Sequence, residues 1–523
     1  MFHLRKPSGI ALPGYAALAG LILPYLAVVA AVLLSGVPRY FREGDGALLE
    51  YSTRTTAALR TLTGPYSRFG FHHPGPFYFF TRIPMYFLLG MKSSADYVTT
   101  SLLAILTLSA SAFAVSTGKN RREMTWFCLL AATYMLVFKP VIWLNDWNPF
   151  IVVFPMLLAV LSLVAAVSDG RRRWWWAVAG ALSGSFAMQT HLGCAPAVVV
   201  PALYTLLVLF GRGDGDSKKI AGIFLVVTAA SWFPVAVSFF TGAGLKNVYA
   251  FAKFLSEGGD TVDPRNALMI WTDAMTGFET FFLPVRRLRV SGTLMLAKGA
   301  VLFFRIFLLA YFTLRTGRPR KSGFRFHLGI VVLILHGVTL FSVMGVKGVP
   351  HQYLFIWFSV VGLLSWIAIA SAVTGEFAWK GRFRDTCSVV AAILTILVGT
   401  ANAREVLRKG GGLFDPLGFD DPQTREASED VLAGIPGRGP WVIVPVSHEY
   451  WPLMAGLLNA LDRDGLEVCV PGGYSFMTGM EPVAGADSLF VAPPGYGSGF
   501  LEVLYEDSLV IVGYREYRRS GAP

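Results

Sequence analysis

Asp45 lies a few residues after the first long apolar stretch of the chain, in the sequence GDGALLEY. A carboxylate in such a place can act as a general base that takes the proton of an attacking hydroxyl group. A helix along the membrane surface is predicted to begin there, from the residues that recur at roughly helical spacing: Leu48, Thr55, Leu59 and Leu62. The alternative is that Asp45 is only the N-cap of this helix. Glu50 points elsewhere and is expected to be solvated or paired with an arginine.

A turn-rich stretch, GPYSRFGFHHPGP at residues 64–76, places Arg68, His72 and His73 between aromatic residues and glycines. Arginine binds phosphate through two parallel hydrogen bonds, and histidine can donate to a phosphate or ligate a metal. Adjacent histidines in an extended segment point to opposite sides, so they are not expected to share one metal ion. The alternative is an aromatic loop on the membrane whose histidines bond to backbone carbonyls.

Three short connections between apolar stretches carry polar residues that a simple connector does not need. They are LNDWNPF (144–150) with Asp146, QTHLG (189–193) with His191, and GVKGVPHQY (345–353) with Lys347 and His351. Short loops between rigid helices position side chains well. Lys347 favours anion binding, with lipid headgroups as an alternative partner, and Asp146 or Asn148 could instead cap the following helix.

Arg305 and His336 interrupt otherwise apolar runs. An ionisable side chain at membrane depth is costly when it faces lipid, so such residues usually face a cavity. We treat both as candidate contacts to a lipid phosphate. Snorkelling of Arg305 toward the membrane surface is the alternative.

The composition of the whole chain indicates the elements that must position these residues. Its 523 residues are 54% hydrophobic and 15% charged, with a mean hydropathy of +0.54. Apolar blocks of roughly 17–25 residues match the length that a helix needs to cross about 30 Å of hydrocarbon. We predict an α-helical polytopic membrane protein with about eleven transmembrane helices, at residues 14–36, 97–117, 124–142, 149–168, 174–190, 195–211, 219–240, 292–314, 328–345, 352–373 and 385–402.

The distribution of lysine and arginine predicts the orientation. With the amino terminus in the cytoplasm, basic clusters fall in cytoplasmic loops, and the short outer loops contain one basic residue, Lys347. The long loops 37–96 and 241–291 and the segment from residue 403 then lie outside. The apolar stretch 76–90 is predicted as an interfacial helix, since Arg82 and Pro84 interrupt it. The first span is expected to be an uncleaved anchor of a multi-pass protein in a bacterial-type cytoplasmic membrane.

Several other classes of protein and of binding site are excluded. The net charge is +12, but the basic residues lie in short loops and not on a basic domain with interleaved aromatic residues. Nucleic acid is therefore not an expected partner. The sequence contains no CxxC pair and no phosphate-binding loop. Its four cysteines are scattered and predict neither a zinc site nor a disulfide framework: Cys128, Cys194, Cys387 and Cys469.

Residues 403–523 differ in composition from residues 1–402 and are predicted to form a small α/β extracytoplasmic domain. Strands are expected at 441–446, 466–470, 488–493 and 508–514, with a helix at 450–461. Aromatic residues in its glycine-rich loops could bind an acceptor glycan, or the domain could simply cover the site. These residues are Tyr450, Trp451 and Tyr474.

The predicted arrangement resembles the GT-C class of membrane glycosyltransferases. This class takes sugars from polyprenyl-phosphate carriers and includes protein mannosyltransferases, aminoarabinose transferases and arabinofuranosyltransferases. The resemblance rests on the odd set of spans, the long first outer loop with an acidic residue just after span one, and the outer carboxyl-terminal domain. Asp45 falls where that class places its catalytic aspartate, and Asp146 resembles a second acidic position in a later outer loop. Gly46 departs from the usual Asp-Glu pair.

The resemblance implies a hexosyl- or pentosyltransferase that acts on an acceptor hydroxyl at the outer face, with Asp45 as general base. A direct displacement would invert the anomeric centre. The donor-binding set is predicted to be Arg68, His72, His73, Asp146, His191, Lys347, His351 and Arg305. The expected partners are the lipid-linked donor, a glycan, lipid or protein acceptor, and membrane lipids. No cofactor is expected, and a divalent metal would not be obligatory.

Two alternatives remain open at the level of sequence. A lipid or saccharide transporter would favour inverted repeats and several ionisable residues at mid-membrane, and no repeat is visible. A polymer ligase of the O-antigen type would favour arginine and histidine in a large late outer loop. The loop 241–291 contains arginines and no histidine, which argues against that alternative.

Overall fold

The structure of the chain is a computed structural model. It describes residues 12–116, 122–168, 173–240, 242–257, 259–280, 292–317, 323–376, 382–408, 414–437, 439–478, 483, 486–494, 496 and 502–515.

Helices dominate the described residues. In chain order they are α1 (Leu12–Leu34), α2 (Gly44–Ala57), α3 (Phe77–Leu88), α4 (Ala95–Val115), α5 (Arg122–Phe138), α6 (Pro140–Trp143), α7 (Asn148–Ile151), α8 (Val153–Val167), α9 (Arg173–Thr190), α10 (Ala195–Arg212), α11 (Gly215–Ser231), α12 (Phe233–Ser238), α13 (Gly242–Glu257), α14 (Pro264–Met275), α15 (Gly277–Thr280), α16 (Gly292–Thr316), α17 (Phe324–Met344), α18 (Phe358–Glu376), α19 (Arg382–Arg408), α20 (Pro422–Gly434), α21 (Trp451–Arg463) and α22 (Ser475–Thr478). Short 3-10 turns lie at Leu192–Cys194, Gln352–Phe355, His448–Tyr450 and Gly472–Tyr474.

Each predicted span coincides with a helix, and the polytopic helical prediction is confirmed. Within the part of the chain that the structure describes, eight helical segments are long and apolar enough to cross a membrane: Leu12–Leu34, Ala95–Val115, Asn148–Val167, Leu192–Arg212, Gly292–Thr316, Phe324–Met344, Gln352–Thr374 and Asp385–Arg408. The other predicted spans correspond to α5, α9 and α11 with α12, which fall short in length or apolarity. The count of eleven therefore stays a prediction.

The chain forms two compact units. The helical unit comprises Met1–Ala31, Thr100–Phe233 and Glu257–Lys409, and the mixed unit comprises Val32–Thr99, Pro234–Ser256 and Gly410–Pro523. This grouping joins the first outer loop to the carboxyl-terminal segment, whereas the sequence was divided at residue 402.

In the helical unit, α8 is the central element. All of its residues are buried, and it packs against α9, α10, α17 and α18. A helix that is apolar on every side is stable only when other helices surround it. The helices α14 and α15 also pack among α16, α17 and α18. Part of the predicted outer loop 241–291 is therefore buried in the helical unit.

The described residues of the mixed unit form two sheets. A small antiparallel hairpin pairs β1 (Tyr66–Ser67) with β2 (Phe71–His72). The larger sheet has the order β4-β3-β5-β7-β6, with strands β3 (Trp441–Pro445), β4 (Val468–Cys469), β5 (Asp487–Ala492), β6 (Glu502–Glu506) and β7 (Ile511–Arg515). β3 is parallel to β4 and β5, while β7 is antiparallel to β5 and β6. The predicted small sheet domain is therefore confirmed.

A single apolar core unites the sheet with the first outer loop. Residues of α20 and α21 pack on the sheet, and Ala47, Leu48 and Tyr51 of α2 pack into the same core. Strand β6 and helix α20 were not predicted. The helix α2 ends at Ala57, so the prediction that Leu59 and Leu62 continue its apolar face was wrong.

Candidate active site

Asp45 is the second residue of α2, and the local geometry requires the glycines on both sides of it. Gly44 has a φ of +51°, in the left-handed region that strains residues with a side chain. A Cβ on Gly46 would stand 2.6 Å from Nε of Arg42. The GDG sequence therefore allows α2 to begin abruptly, with Asp45 in its first turn.

The carboxylate of Asp45 accepts a hydrogen bond from the hydroxyl of Tyr66 on β1. Glu43 occupies the N-cap position of α2, so the interpretation of Asp45 as N-cap was wrong. Burial raises the pKa of Asp45 above its ordinary value, and the bond from Tyr66 offsets part of this rise. A carboxylate with a raised pKa is a stronger base, as the removal of a hydroxyl proton requires.

The first turn of α2 rests on a buried ion-pair network that sequence reasoning missed. Nη1 of Arg42 donates to Oδ2 of Asp96 at 2.7 Å, and the guanidinium lies 4.2 Å from the ring centroid of Phe419. Nε of Arg82 donates to Oδ1 of Asp96 at 3.0 Å. Because Arg42 packs against the backbone at Gly46, this network fixes the start of α2. Its members are far apart in the chain, so no local pattern could have revealed it.

Glu50, on the same helix, is fully buried and has a different role. Its carboxylate accepts hydrogen bonds from the Tyr86 hydroxyl at 2.8 Å, Asn459 Nδ2 at 3.1 Å and Arg463 Nη1 at 3.1 Å. Burial alone would raise the pKa of Glu50, but Arg463 and Arg54 outweigh it and the pKa is lowered. The expected pairing with arginine is confirmed and the solvated alternative was wrong. Glu50 ties α2 to α3 and α21.

The hairpin β1–β2 holds the two adjacent histidines in different surroundings. Nδ1 of His72 lies 3.0 Å from the carbonyl oxygen of Gly64, and the His72 backbone exchanges hydrogen bonds with the Asn247 side chain on α13. His73 is buried, with its ring edge against Phe71. The backbone-bonded alternative is thus realised for His72.

Arg68 lies in the turn of this hairpin and is exposed, with its guanidinium 4.7 Å from the Phe69 ring centroid. The hairpin itself packs on α13 through aromatic pairs, Phe69 with Phe254 at 4.6 Å and Phe71 with Phe251 at 5.1 Å between ring centroids. Arg68 is thus an accessible cation on a rigidly packed turn. Its predicted contact to phosphate stays a prediction.

In the helical unit, the short polar connections are brought together. Nδ2 of Asn148 lies 3.4 Å from the carbonyl oxygen of Thr190, which joins the loops 144–150 and 189–193. Trp147 packs on Tyr353 with ring centroids 4.9 Å apart, and Tyr353 stacks on His351 at 5.7 Å. Three segments that are distant in sequence therefore form one polar and aromatic cluster.

Within this cluster Asp146 and His191 are both buried. Burial lowers the pKa of His191 to about 4, so its imidazole is neutral at pH 7. It would then serve a phosphate as a hydrogen-bond donor and not as the cation that the sequence suggested. The side chain of Lys347 is half-buried, and its backbone pairs with that of Thr261 in an isolated antiparallel bridge. The phosphate-binding roles of all these residues stay predictions.

Arg305 and His336 have structural partners. The guanidinium of Arg305 is fully buried on α16 and binds the Glu279 carboxylate and the Met275 carbonyl, the latter at 2.9 Å. Nδ1 of His336 lies 2.8 Å from the Val332 carbonyl. The snorkelling alternative for Arg305 was wrong, because its side chain is fully buried and its charge is paired with that of Glu279. Its predicted contact to the donor phosphate stays a prediction. Arg305 anchors α14 and α15 among the spans.

A cleft of about 470 Å³ opens in the helical unit beside the turn that follows His351. Its walls are mostly apolar and include Phe138, Met269, Met295, Phe355 and Ile356, with Asp273 and Gln352 as polar members. Among the residues that the structure describes, no group of three His, Cys, Asp or Glu side chains is arranged to hold a metal ion.

Comparison with solved structures shows which known fold the chain has. No protein-family model and no curated protein sequence matches the chain. Among solved structures, ArnT from Cupriavidus metallidurans bound to undecaprenyl phosphate matches with a TM-score of 0.56 and 16% identity, over 95% of this chain and 99% of that chain. The chain has the fold of ArnT.

ArnT in the apo state matches similarly, with a TM-score of 0.53 and 15% identity over 94% of this chain and 97% of that chain. An oligosaccharyltransferase of Archaeoglobus fulgidus matches more weakly, with a TM-score of 0.45 and 14% identity over 90% of this chain and 64% of that chain. ArnT is an aminoarabinose transferase, so the predicted resemblance to that branch of the GT-C class is confirmed at the level of the fold.

Proposed function

We propose that the chain is a glycosyltransferase that moves a sugar from a polyprenyl-phosphate carrier to an acceptor hydroxyl at the outer face of a bacterial cytoplasmic membrane. The observation that carries the proposal is Asp45, a carboxylate with a raised pKa, held by Tyr66 at the start of α2 on an ArnT-like fold. The ArnT crystal structure contains undecaprenyl phosphate, which supports a polyprenyl-phosphate donor here.

In the proposed reaction, Asp45 accepts the proton of the acceptor hydroxyl while the acceptor oxygen bonds to the anomeric carbon. The bond between that carbon and the phosphate oxygen breaks, and its electron pair leaves with the phosphate. Direct displacement inverts the anomeric centre. Tyr66 is a positioning residue, because its hydroxyl holds the carboxylate.

The helical unit supports the donor side of the proposal. The apolar cleft of about 470 Å³ suits a lipid chain, and the cluster around Asp146, His191 and His351 offers polar groups for a phosphate. Lys347 of the same unit would supply positive charge to the leaving group. A phosphate leaving group does not itself require a divalent ion, and we propose that none is obligatory. Arabinofuranose is one candidate sugar among pentoses and hexoses.

The decisive experiment uses purified full-length protein and a panel of radiolabelled polyprenyl-phosphate sugars. We expect one donor to be consumed and its polyprenyl phosphate to be released. Asp45→Asn should lower the rate by about 10²–10⁴-fold, the usual contribution of a positioned general base. The matched control is Asp430→Asn, which changes an exposed aspartate on α20 of the same unit and should leave the rate unchanged.

Stability provides a check that the Asp45→Asn variant is folded. Because the folded-state pKa of Asp45 is raised, the neutral carboxyl is favoured by the fold, and that stabilisation is lost as the pH rises through the folded pKa. At pH 7 the amide replaces an unfavourable buried charge, so the midpoint of thermal unfolding should not fall. Full turnover by this variant would refute the assignment of Asp45.

A further inference from the structure

Three ring side chains of the mixed unit lie close together, with His448 near both Trp451 and Tyr474. The rings of His448 and Trp451 have centroids 6.4 Å apart and planes inclined by 22°, and those of His448 and Tyr474 are 6.2 Å apart and inclined by 16°. His448 is exposed, while Trp451 and Tyr474 are half-buried. We call these three residues the ring platform.

Trp451 connects the ring platform to the start of α2, where Asp45 lies. A Cβ placed on Gly44 would stand 3.4 Å from Cη2 of Trp451, so the indole packs against the residue that precedes Asp45. Trp451, Tyr474 and Tyr66 all pack against the core that α2 shares with the sheet. Through Trp451, the platform therefore borders the residue next to Asp45, the proposed general base.

We propose that the ring platform is the binding subsite for a carbohydrate acceptor, an inference that rests on the proposed function and names its acceptor class. Sugar rings have apolar C–H faces, which stack on aromatic rings, and hydroxyl edges, which need polar neighbours. The nearly parallel planes offer successive stacking surfaces. Glu449 is exposed in the same turn and can accept hydrogen bonds from sugar hydroxyls.

The construction of the platform favours a glycan over other occupants. His448 and Trp451 come from one turn, because the 3-10 turn His448–Tyr450 leads directly into α21. Tyr474 comes from the glycine-rich turn Gly472–Tyr474, where the two exposed glycines leave the ring accessible. The carboxylate of Glu449 disfavours an anionic lipid surface, since it would repel the headgroups.

The test measures glycan binding separately from sugar transfer. Full-length protein with Asp45→Asn, which blocks turnover, is titrated calorimetrically with arabinan, galactan and mannan fragments of four to six sugars. We expect one fragment to bind. Tyr474→Ala and His448→Ala should each weaken the affinity for that fragment roughly two- to tenfold, as the loss of one stacking ring implies. Leu509→Ala, which removes an exposed apolar side chain of the same domain, should bind as the parent does.

Trp451→Ala removes packing against α2 and needs a check of folding, so His448→Ala and Tyr474→Ala carry the conclusion. In transfer assays with Asp45 intact, both variants should raise the acceptor KM and leave kcat and the donor KM unchanged. Absence of glycan binding by the parent, or binding unaffected by both substitutions, overturns the proposal. So does binding of phosphatidylglycerol vesicles that depends on the same rings.

The two proposals fail in distinguishable ways. If the unaltered protein consumes a polyprenyl-phosphate donor but binds no glycan, the platform is wrong and the transferase stands. If a glycan binds through the rings but no donor of the panel is consumed, the proposed transferase function fails and the chain is a glycan-binding membrane protein.

Discussion

Asp45 and Glu50 lie on one helix, five residues apart, in opposite electrostatic environments. The pKa of Asp45 is raised by burial, and that of Glu50 is lowered by the guanidinium groups of Arg463 and Arg54. Pairs of carboxylates whose surroundings separate their pKa values often divide the roles of acid, base and structural charge. Here the paired carboxylate, Glu50, holds the helix in place, and the carboxylate with the raised pKa, Asp45, is the proposed base.

The hydrogen bond from Tyr66 gives a test of Asp45 as the base. Tyr66→Phe removes an interaction that lowers the pKa of Asp45, so that pKa should rise further. Since only the ionised carboxylate accepts a proton, the acidic limb of the pH profile of kcat/KM should move to higher pH. Tyr249→Phe, at an exposed tyrosine of α13, should leave the limb in place. A shift toward lower pH, or none, would mean that another group controls that limb.

Among the elements, α14 and α15 depart most from the sequence prediction, because one face of α14, and α15 after it, pack among the spans. Arg305 and Glu279 hold them there, with the indole of Trp366 donating to Glu279 at 2.8 Å. Removal of one member of a buried pair leaves an uncompensated charge, whereas removal of both can be nearly neutral. The packing of α14 and α15 among the spans is therefore expected to depend on the ion pair and not on either charge alone.

A double-mutant cycle tests this dependence. Arg305→Met should destabilise the protein by about 3–5 kcal/mol, and the further change Glu279→Gln should recover most of that loss. The matched control is Lys298→Met on the same helix, where the partner Asp273 is 58% exposed and the pair should contribute little. Thermal unfolding in detergent gives the comparison. Equal losses in the single and double variants would show that the pair does not anchor the segment.

Sequence reasoning predicted the elements that local pattern determines. The apolar blocks were found because the thickness and apolarity of the bilayer core determine the length and composition of a spanning helix. Strands β3, β5 and β7 were found because runs of β-branched residues mark them. It missed strand β6, most of whose residues are exposed, and the end of α2 at Ala57. Apolar periodicity cannot show where a helix stops when tertiary packing decides it.

The candidate site was predicted in its ionisable residues but not in their partners. Asp45 was proposed from the sequence because a carboxylate just after a span is conspicuous. Tyr66 and Arg42 were missed because their importance depends on contacts across the chain: Tyr66 to Asp45, and Arg42 to Asp96. Glu279, the partner of Arg305, was missed for the same reason, since it lies 26 positions away in a loop predicted to be outside. Burial and pairing appear only when the chain is folded.

At the scale of the whole molecule, the distribution of charge predicts which side of the membrane holds Asp45. The chain has 45 lysine and arginine residues against 33 acidic ones, and its short loops with basic clusters alternate with loops nearly free of them. From the positive-inside rule we expect the amino terminus to lie in the cytoplasm and the carboxyl-terminal sheet to lie outside. A lipid-linked donor is compatible with chemistry at the outer face, where nucleotide sugars are not supplied.

Cysteine labelling tests this orientation in intact cells. Cys128, Cys194 and Cys469 are buried, so Cys387→Ser gives a background of low reactivity. In that background, Glu429→Cys on the exposed side of α20 should react with a membrane-impermeant maleimide in spheroplasts, because it lies in the domain predicted outside. Asp216→Cys, where the native side chain is 71% exposed in a predicted cytoplasmic loop, should react only after permeabilisation. The reverse pattern would place Asp45 on the cytoplasmic side and contradict transfer at the outer face, whatever the chemistry of the carboxylate.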